Sequence, residues 1–424
     1  MPASVVIVGA GPGGTETAAA LRGRGFPGRI TLIGAEDALP YQRPPLSKGY
    51  LAGTVPLAEL ALRPESFFGS QDIDLVSGTS VTEIDTAGRR VTLSSGAGLP
   101  YDHLVLATGA RPRRLPLPGA GLAGLGPAGP AGLAGVHTLR DLRDADELRA
   151  ALSAGGHLLV LGGGFVGLEV ASTARKLGVE VTVVEAGPRV MERSVGELLS
   201  RRVTEEHRRQ GTRILLRREV RALRGDGAGH VRVAELDNGE RVAADLVVMG
   251  VGVLPRTELA ADAGLPVGDG VVVDRLLRAG PGVYALGDCA RFPSRRAGRR
   301  LRLESVQNAS DQARTVAAGI CGEPEPYTAV PWFWTEQYGL RVQLAGITAR
   351  HDRTVVKGDV KGGRFSVFCF RGDRLVGTES VNRPADHMIT RRLLADDAGP
   401  GPGPDEFARP DFDLKEYHLA RTAG

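Results

Sequence analysis

The chain of 424 residues is long enough for two or three domains. Its hydrophobic fraction of 42% and charged fraction of 24% are ordinary for a globular protein, and no apolar run reaches the ~20 residues of a membrane span. A formal net charge of +4 is too small, for this length, to indicate a nucleic-acid partner.

The N-terminus runs directly into a strand pattern, so we predict no signal peptide and a cytoplasmic location. The three cysteines, Cys289, Cys321 and Cys369, form neither a Cys-x-x-Cys pair nor a metal-binding spacing, which is typical of a reducing compartment. None of the eight histidines has metal-binding spacing either. We therefore expect no bound metal and treat the histidines as structural or solvated.

The first predicted unit, residues 4–36, is a strand (SVVIV), a glycine-rich turn (GAGPGG), a helix and a second strand (ITLIG) that ends near Glu36. The turn reads Gly-x-Gly-x-x-Gly, with Gly9, Gly11 and Gly14. In such turns the first glycine permits the tight bend, the second lets backbone approach a pyrophosphate, and the third lets helix and strand pack closely. The helix N-terminus then favours the anion.

The segment PYQRPPLSKGYL (40–51) is a proline-rich loop that contains Arg43 and Lys48. Lys48 is one of only five lysines among 53 basic residues. A lysine is a compact point charge on a flexible stem, unlike the planar guanidinium of arginine. The loop therefore marks Lys48 as a candidate functional residue, with a solvated turn lysine as the plain alternative.

Further along, a buried strand leads into Ala107, Thr108 and Gly109. The Gly/Pro-rich stretch at 115–135 has no helix or strand periodicity and predicts an irregular linker.

Residues 157–185 repeat the first pattern: HLLVL, GGGFVG, a helical segment, VEVTVV and then Glu185. The turn glycines are Gly162, Gly164 and Gly167, and Glu185 lies 21 residues after Gly164, close to the ~20 that places an acid on an adenosine ribose. One such turn could be a ligand-free bend, but two copies with an acid after the second strand predict two dinucleotide sites.

Three C-terminal features complete the pattern. GVYALGDCA (282–290) is a buried strand that ends at Gly287 and Asp288. RFPSRRAGRRLR (291–302) holds six arginines and no acid, which indicates either a solvated loop or a docking surface for an acidic partner. AGPGPGP (398–404) begins a tail that we expect to be a loosely held strap or disordered.

The chain resembles the two-dinucleotide flavoprotein disulfide reductases. Their FAD-binding parts are matched by the first unit, by ATGARP (107–112) and by YALGDCA (284–290), and their NAD(P) domain is matched by the central unit. The implied fold class is α/β, a glutathione-reductase-like fold with FAD and NAD Rossmann-like domains and a C-terminal α+β domain. The expected domains are an FAD domain in two parts (1–115 and 259–327), an NAD domain (139–258) and a C-terminal α+β interface domain (328–397). Two Gly/Pro-rich segments are expected as a linker (116–138) and as a linker and tail (398–424).

Dithiol members of that superfamily have a Cys-x₄-Cys pair after the first unit, where this chain has no cysteine and Lys48 instead. This loop resembles the oxygenase-coupled ferredoxin reductases, such as the putidaredoxin, rhodocoxin and biphenyl-dioxygenase ferredoxin reductases. The resemblance places Lys48 beside the reactive edge of the flavin, Glu169 near the nicotinamide and Lys48, and Trp334 at the flavin and nicotinamide edge. These three are the expected catalytic residues, while Trp332 is left to packing or an interface.

The resemblance, which covers about residues 3–395, implies two sets of cofactor contacts. Those for non-covalent FAD are Gly9, Gly11, Pro12, Gly14, Glu36, Arg43, Lys48, Val81, Ala107, Thr108, Gly109, Arg111, Asp288, Val306 and Trp334. Those for NAD are Gly162, Gly164, Phe165, Val166, Gly167, Glu169, Glu185, Arg189 and Gly250. The chain departs from the family at Thr335-Glu336-Gln337, commonly Ser-Asp-Gln, and at Arg256, commonly Asn.

The implied activity is hydride transfer from NADH to FAD, followed by single-electron transfer to an iron–sulfur ferredoxin that feeds a haem-thiolate monooxygenase or a Rieske-type oxygenase. We expect NADH over NADPH because Glu185 would face the extra phosphate, although Arg189 could soften that repulsion. A transient complex with an acidic ferredoxin and a monomer or weak dimer are expected. The alternatives are an NADH oxidase, a reductase of a small organic acceptor, and a flavin-binding signalling protein.

Overall fold

The computed structural model describes residues 3–120, 132–349, 351–396 and 401–423. Within these ranges the strands, β1 to β28, are Val5–Val8, Ile30–Ile33, Ile73–Val76, Val81–Asp85, Arg90–Leu93, Gly98–Pro100, His103–Leu106, Ala110–Pro112, Val136–His137, His157–Leu161, Glu180–Glu185, Arg213–Leu216, Val220–Gly225, Val231–Leu236, Arg241–Ala243, Leu246–Met249, Val253–Pro255, Val267–Gly268, Gly270–Val272, Arg278–Gly280, Val283–Ala285, Ala290–Ser294, Arg299–Leu301, Trp332–Gln337, Leu340–Gly346, Arg353–Asp359, Arg364–Arg371 and Arg374–Val381.

Over the same described ranges the helices, α1 to α10, are Pro12–Gly23, Glu65–Ser70, Leu142–Ser153, Phe165–Lys176, Glu197–Arg209, Glu258–Asp262, Val306–Ile320, Pro384–Ala395, Pro404–Ala408 and Leu414–Ala423. Short 3₁₀ turns lie at Pro44–Ser47, Leu57–Leu60 and Gly287–Cys289. In the part of the chain that the structure describes, no helix is both long and apolar enough to cross a membrane.

The chain divides into two compact units. Unit 1 comprises Met1–Arg43, Leu57–Arg111 and Val253–Ala329. Unit 2 comprises Pro44–Pro56, Pro112–Gly252 and Val330–Gly424.

Unit 1 is built on a parallel sheet in the order β3-β2-β1-β7-β21, with β20 antiparallel beyond β21. All four residues of β1 are buried and apolar, as a central strand covered on both faces requires. The carboxyl ends of parallel strands meet at one edge of a sheet, where ligands of such folds bind. The turn after β1 and Ala107, which follows β7, therefore lie at the same edge.

Unit 2 contains a parallel sheet, β12-β11-β10-β16-β9, and an antiparallel sheet, β24-β25-β28-β27-β26. One buried apolar cluster includes residues of both sheets, among them Val160 and Val342. Leu51, from the proline-rich loop, is fully buried in the same cluster, so this short segment belongs to unit 2.

The described ends of the predicted linker are ordered. Ala120 is buried with Leu117 and Leu133 in a second apolar cluster of unit 2, and β9 pairs with β16. Residues 121–131, the middle of that linker, lie outside the described residues.

The expectation of a loose C-terminal tail is wrong for residues 401–423. Phe407 of α9 is fully buried, with its ring 4.5 Å from that of Phe368 and 4.8 Å from that of Phe412. Lys357 of β26 donates a hydrogen bond to the Arg409 carbonyl oxygen at 2.6 Å. The Gly/Pro-rich run interrupts helix and strand periodicity, but the aromatic residues beyond it still bury apolar surface.

Candidate active site

The first glycine-rich turn has two positions that exclude any side chain and one that does not. Gly9 has φ +111°, and a Cβ atom there would lie 2.2 Å from the Ala107 carbonyl oxygen. A Cβ on Gly14 would lie 1.9 Å from the Gly9 carbonyl oxygen. A Cβ on Gly11, whose backbone is extended, would meet no atom of the described residues within 4 Å. The packing of the protein itself does not require glycine at 11, so that position leaves room for a ligand against the backbone.

The second turn shows the same division. A Cβ on Gly162, at φ +97°, would lie 2.6 Å from the Gly250 carbonyl oxygen, and one on Gly167 would lie 2.3 Å from the Gly162 carbonyl oxygen. On Gly164 the nearest atom would be the Gly250 carbonyl oxygen at 3.8 Å, an ordinary contact. Both turns therefore present an open backbone surface at the N-terminus of a helix, as an anionic pyrophosphate requires.

The acid after the first turn is paired with side chains of its own unit. The Glu36 carboxylate accepts a hydrogen bond from Arg43 Nη2 at 2.6 Å and another from the Tyr41 hydroxyl. Tyr41 was missing from the predicted contacts, although its place two residues before Arg43 could have indicated it.

The other predicted FAD contacts of unit 1 are positioned by different strands, helices and turns. Thr108 donates its hydroxyl to the Arg256 carbonyl oxygen at 2.8 Å, and Arg111 forms an exposed ion pair with Glu258. The remaining positions are set by local structure: Pro12 begins α1, Val81 is buried at the start of β4, Gly109 has φ +68°, Asp288 lies in a 3₁₀ turn, and Val306 begins α7.

The acid after the second turn is held by backbone. Glu185 accepts hydrogen bonds from the Gly163 amide at 2.7 Å and the Gly187 amide at 2.6 Å. The Arg189 guanidinium donates to the Val195 and Glu192 carbonyl oxygens at 2.7 and 2.9 Å. The guanidinium of Arg189 is thus engaged with backbone, and the contacts described for it include no ion pair with Glu185.

The next two predicted contacts, at the start of α4, differ in exposure. The Phe165 ring lies 4.5 Å from that of Phe333, whereas Val166 is 43% exposed. An exposed apolar side chain beside the turn is suited to contact with a ligand.

Lys48 and Glu169 form an ion pair inside unit 2. Lys48 Nζ lies 2.6 Å from Glu169 Oε2, and the two side chains are 24% and 6% exposed. The same carboxylate accepts hydrogen bonds from the Ser47 hydroxyl at 2.5 Å and the Thr335 hydroxyl at 2.6 Å. A carboxylate this buried needs such donors, because an unpaired buried charge is strongly unfavourable.

The proline-rich loop positions Lys48 by packing against two helices. Pro44 and Pro45 fix their φ angles near those of the 3₁₀ turn, and the Lys48 amide donates to the Pro45 carbonyl oxygen at 2.9 Å. The Ser47 carbonyl oxygen accepts from Thr173 Oγ1 of α4 at 2.8 Å, and the Tyr50 hydroxyl donates to Asp146 of α3 at 2.6 Å. The loop is therefore held rigidly.

Trp334 is partly buried in β24, and its ring lies 5.6 Å from that of Trp332. Trp332 in turn contacts the Arg391 guanidinium at 4.6 Å and the His387 ring at 5.7 Å. Trp332 thus packs against residues of α8.

The cysteines are poorly suited to redox chemistry. All three are free, and Cys289 and Cys369 are buried. Burial raises the pKa of the Cys289 thiol, and the same effect raises the pKa of Cys369. Because the thiolate is the reactive form, these two thiols are unreactive.

The arginine-rich segment forms the hairpin of β22 and β23 in unit 1. Its six arginines are not equivalent: Arg302 is only 10% exposed and forms ion pairs with Asp269 at 3.0 Å and Glu304 at 2.7 Å. Arg300 donates to the Val273 carbonyl oxygen. This corrects the picture of six charges available for docking, since Arg302 is structural, whereas Arg295 and Arg299 are exposed.

Residues 3–313 match the family described as pyridine nucleotide-disulphide oxidoreductase, and residues 332–418 match the family described as reductase C-terminal. The chain belongs to the pyridine nucleotide-disulphide oxidoreductase family. Members bind FAD and a pyridine nucleotide, and the two open glycine-rich turns of this chain fit such groups. The predicted fold class and the resemblance on which it was based are confirmed.

Relatives with curated functions and solved structures cover nearly the whole chain. Rhodocoxin reductase of Rhodococcus erythropolis is 46% identical over 413 residues, 97% of this chain and 93% of that protein. The ferredoxin reductase for the CYP199A2 system from Rhodopseudomonas palustris is 44% identical, with a TM-score of 0.91 over 97% of this chain and 99% of the other. The reductase in the covalent putidaredoxin reductase–putidaredoxin complex is 38% identical, with a TM-score of 0.92 over 100% and 99% of the two chains.

Proposed function

We propose that this chain is an NADH-dependent ferredoxin reductase that holds FAD non-covalently and passes electrons singly to a small iron–sulfur ferredoxin. That ferredoxin would serve a haem-thiolate monooxygenase or a Rieske-type oxygenase. Bound FAD supplies the chemistry that joins two-electron hydride transfer to single-electron release. The observation that carries the proposal is the Lys48–Glu169 ion pair, in a family whose dithiol members have cysteines in this loop.

The residues of the chain take distinct roles in this function. The turn around Gly11 holds the pyrophosphate of FAD, and the turn around Gly164 holds that of NADH. Glu185 accepts hydrogen bonds from the hydroxyl groups of the adenosine ribose. Lys48 is a fixed cation that favours the negative charge developed on accepting a hydride, without adding redox chemistry of its own. Trp334 shapes the space where the two cofactors react.

Ferredoxin as the acceptor is supported by two relatives. Rhodocoxin reductase carries its acceptor in its name, and the reductase of similar fold was solved in covalent complex with putidaredoxin. An NADH oxidase or a reductase of a small organic molecule would keep the same cofactor sites, so the acceptor itself must be tested.

The acceptor is tested by comparing NADH turnover with oxygen alone and with a [2Fe–2S] ferredoxin of the rhodocoxin or putidaredoxin type. We expect ferredoxin reduction to be faster by at least about tenfold, since reduction of a docked partner is favoured by proximity. Equal turnover with oxygen alone would identify an oxidase. If the protein binds FAD but NADH does not reduce it, the protein is neither a ferredoxin reductase nor an NADH oxidase.

We propose that the exposed arginines of the β22–β23 hairpin accelerate docking of an acidic ferredoxin. Charge complementarity raises the association rate and is screened by salt. We expect Arg295→Gln with Arg299→Gln to raise the KM for ferredoxin by roughly two- to tenfold at low salt and to leave the KM for NADH unchanged. The control is Arg143→Gln on α3, which removes an exposed arginine of unit 2. If the hairpin variant reduces ferredoxin as the parent does, the ferredoxin docks elsewhere.

A further inference from the structure

The carboxylate of Glu169 ends a chain of buried hydrogen bonds that the ion pair with Lys48 does not explain. Thr335 Oγ1 lies 2.6 Å from Glu169 Oε1, Gln337 Nε2 lies 3.2 Å from Thr335 Oγ1, and His207 Nε2 lies 2.8 Å from Gln337 Oε1. All four side chains are buried: Glu169, Thr335, Gln337 and His207 are at most 5% exposed. The chain joins α4, β24 and α5, all within unit 2.

The donor-to-acceptor direction of these hydrogen bonds follows from counting the protons on each side chain. The Thr335 hydroxyl has one proton, and its oxygen accepts from the Gln337 amide, so that proton goes to Glu169. The Gln337 oxygen must then accept from His207, which places the imidazole proton on Nε2. Among the residues that the structure describes, His207 Nδ1 is buried without a hydrogen-bond partner, which agrees with an unprotonated nitrogen there. Burial also lowers the pKa of His207, which favours the neutral ring.

Reversing the chain would leave a buried donor unpaired. If Glu169 were protonated and donated to Thr335, the threonine would donate to the Gln337 oxygen. The Gln337 amide would then point at His207 Nε2, and the imidazole proton would move to Nδ1, which has no hydrogen-bond partner in the described part of the chain. A buried unpaired N–H is costly, so these hydrogen bonds favour the direction in which every donor points towards the Glu169 carboxylate.

We propose that Thr335, supported by Gln337 and His207, is a positioning residue that holds the carboxylate of Glu169 oriented towards Lys48. Thr335 acts through Glu169, to which its hydroxyl donates. Together with Ser47 and Lys48, it gives the carboxylate donors on both oxygens, which fixes the rotamer of Glu169 before NADH arrives. The part played in hydride transfer rests on the proposed function, whereas the polarity of the chain does not.

The polarity is tested on the purified protein without NADH. Selective ¹⁵N labelling of histidine, with His207→Asn to assign the signal, reports which ring nitrogen carries the proton. We expect a neutral imidazole protonated at Nε2. A proton on Nδ1, or an imidazolium, would reverse the inferred chain and overturn the proposal, whatever reaction the protein catalyses.

The role in the reaction is tested by a double-mutant cycle on the rate at which NADH reduces the bound flavin. Thr335→Val keeps the shape of the side chain but removes its hydroxyl, and should slow this rate by on the order of tenfold. Thr335→Ser restores the hydroxyl and should restore most of the rate. In a Glu169→Gln background, Thr335→Val should add less than about twofold, because the two residues act as one unit.

The controls separate positioning from stability and from a failure of the proposed function. Thermal unfolding of each variant shows whether it is folded and holds FAD. If Thr335→Val slows the reaction equally with and without Glu169, or if Thr335→Ser does not rescue it, Thr335 does not act through Glu169. If NADH fails to reduce the parent protein, the proposed function fails, while the ¹⁵N experiment still decides the polarity.

Discussion

The two glycine-rich turns have the same backbone design, but their acids are held differently. In each turn the outer glycines are required by backbone oxygens within 2.6 Å of a Cβ, and the central glycine is free of such contacts. Glu36 is then paired with the cationic Arg43, whereas Glu185 is held by two neutral backbone amides. The acid of the first site therefore has a cationic donor, whereas the acid of the second site is held by neutral donors.

This difference matches the uses that we propose for the two turns. A carboxylate already paired with an arginine suits a dinucleotide that stays bound, because the loop carrying Arg43 holds the acid in place. A carboxylate with no cationic partner among the contacts described for it suits a reversible ligand and repels an additional phosphate. The Gly-x-Gly-x-x-Gly pattern, which both copies share, carries neither property.

The largest effect should come from the central glycines. Gly11→Ala places a methyl group in the space left for the pyrophosphate of FAD and should weaken FAD binding by roughly 10- to 100-fold. Gly164→Ala should leave FAD content unchanged and raise the KM for NADH to a similar extent. Flavin content and steady-state kinetics measure both.

The matched control is Gly23→Ala at the end of α1, where a Cβ also meets no atom within 4 Å. It should change neither quantity. If Gly11→Ala behaves like Gly23→Ala, the open space at the first turn is not the pyrophosphate site.

The preference for NADH over NADPH should depend on Glu185, and substituting this residue should have a smaller effect than the glycine substitutions. Removing the carboxylate in Glu185→Ala should raise the ratio of kcat/KM for NADPH to that for NADH by about tenfold, since a like-charge repulsion is lost together with hydrogen bonds to the ribose. Arg189→Ala should leave this ratio nearly unchanged, because its guanidinium is engaged by the Val195 and Glu192 carbonyl oxygens. A large fall in NADPH use in Arg189→Ala would show that the guanidinium turns towards the phosphate.

The smallest effect should come from Arg43. Its ion pair with Glu36 is partly exposed, and such pairs contribute about 0.2–1 kcal/mol. Arg43→Gln should therefore increase the rate of FAD loss by about two- to fivefold, without changing the KM for NADH. Arg63→Gln, which breaks a partly exposed ion pair with Glu16 in the same unit, is the control. Equal FAD loss in both variants would show that pairing at Glu36 has no specific role.

The sequence by itself determined the features that depend on local spacing. Alternating strand and helix periodicities framed both glycine-rich turns, and the distance from Gly164 to Glu185 followed from the length of one β-α-β unit. The absence of cysteine near Lys48 is likewise visible without a structure. These signals predicted two dinucleotide sites, and the fold class and the family followed from the resemblance of the quoted segments to known flavoproteins.

The tertiary structure decided which side chains meet. Glu169 bonds to Ser47 and Thr335, which lie 122 and 166 positions away along the chain. A buried carboxylate must collect its donors from whichever segments pack around it, and no periodicity of 2 or 3.6 residues records that requirement. The same reason explains Arg302, which reads as a free charge in the sequence and is bound by Asp269 and Glu304 in the fold. It also explains Phe407, which follows a run of glycine and proline and is nevertheless core, because burial of an aromatic ring depends on distant partners such as Phe368.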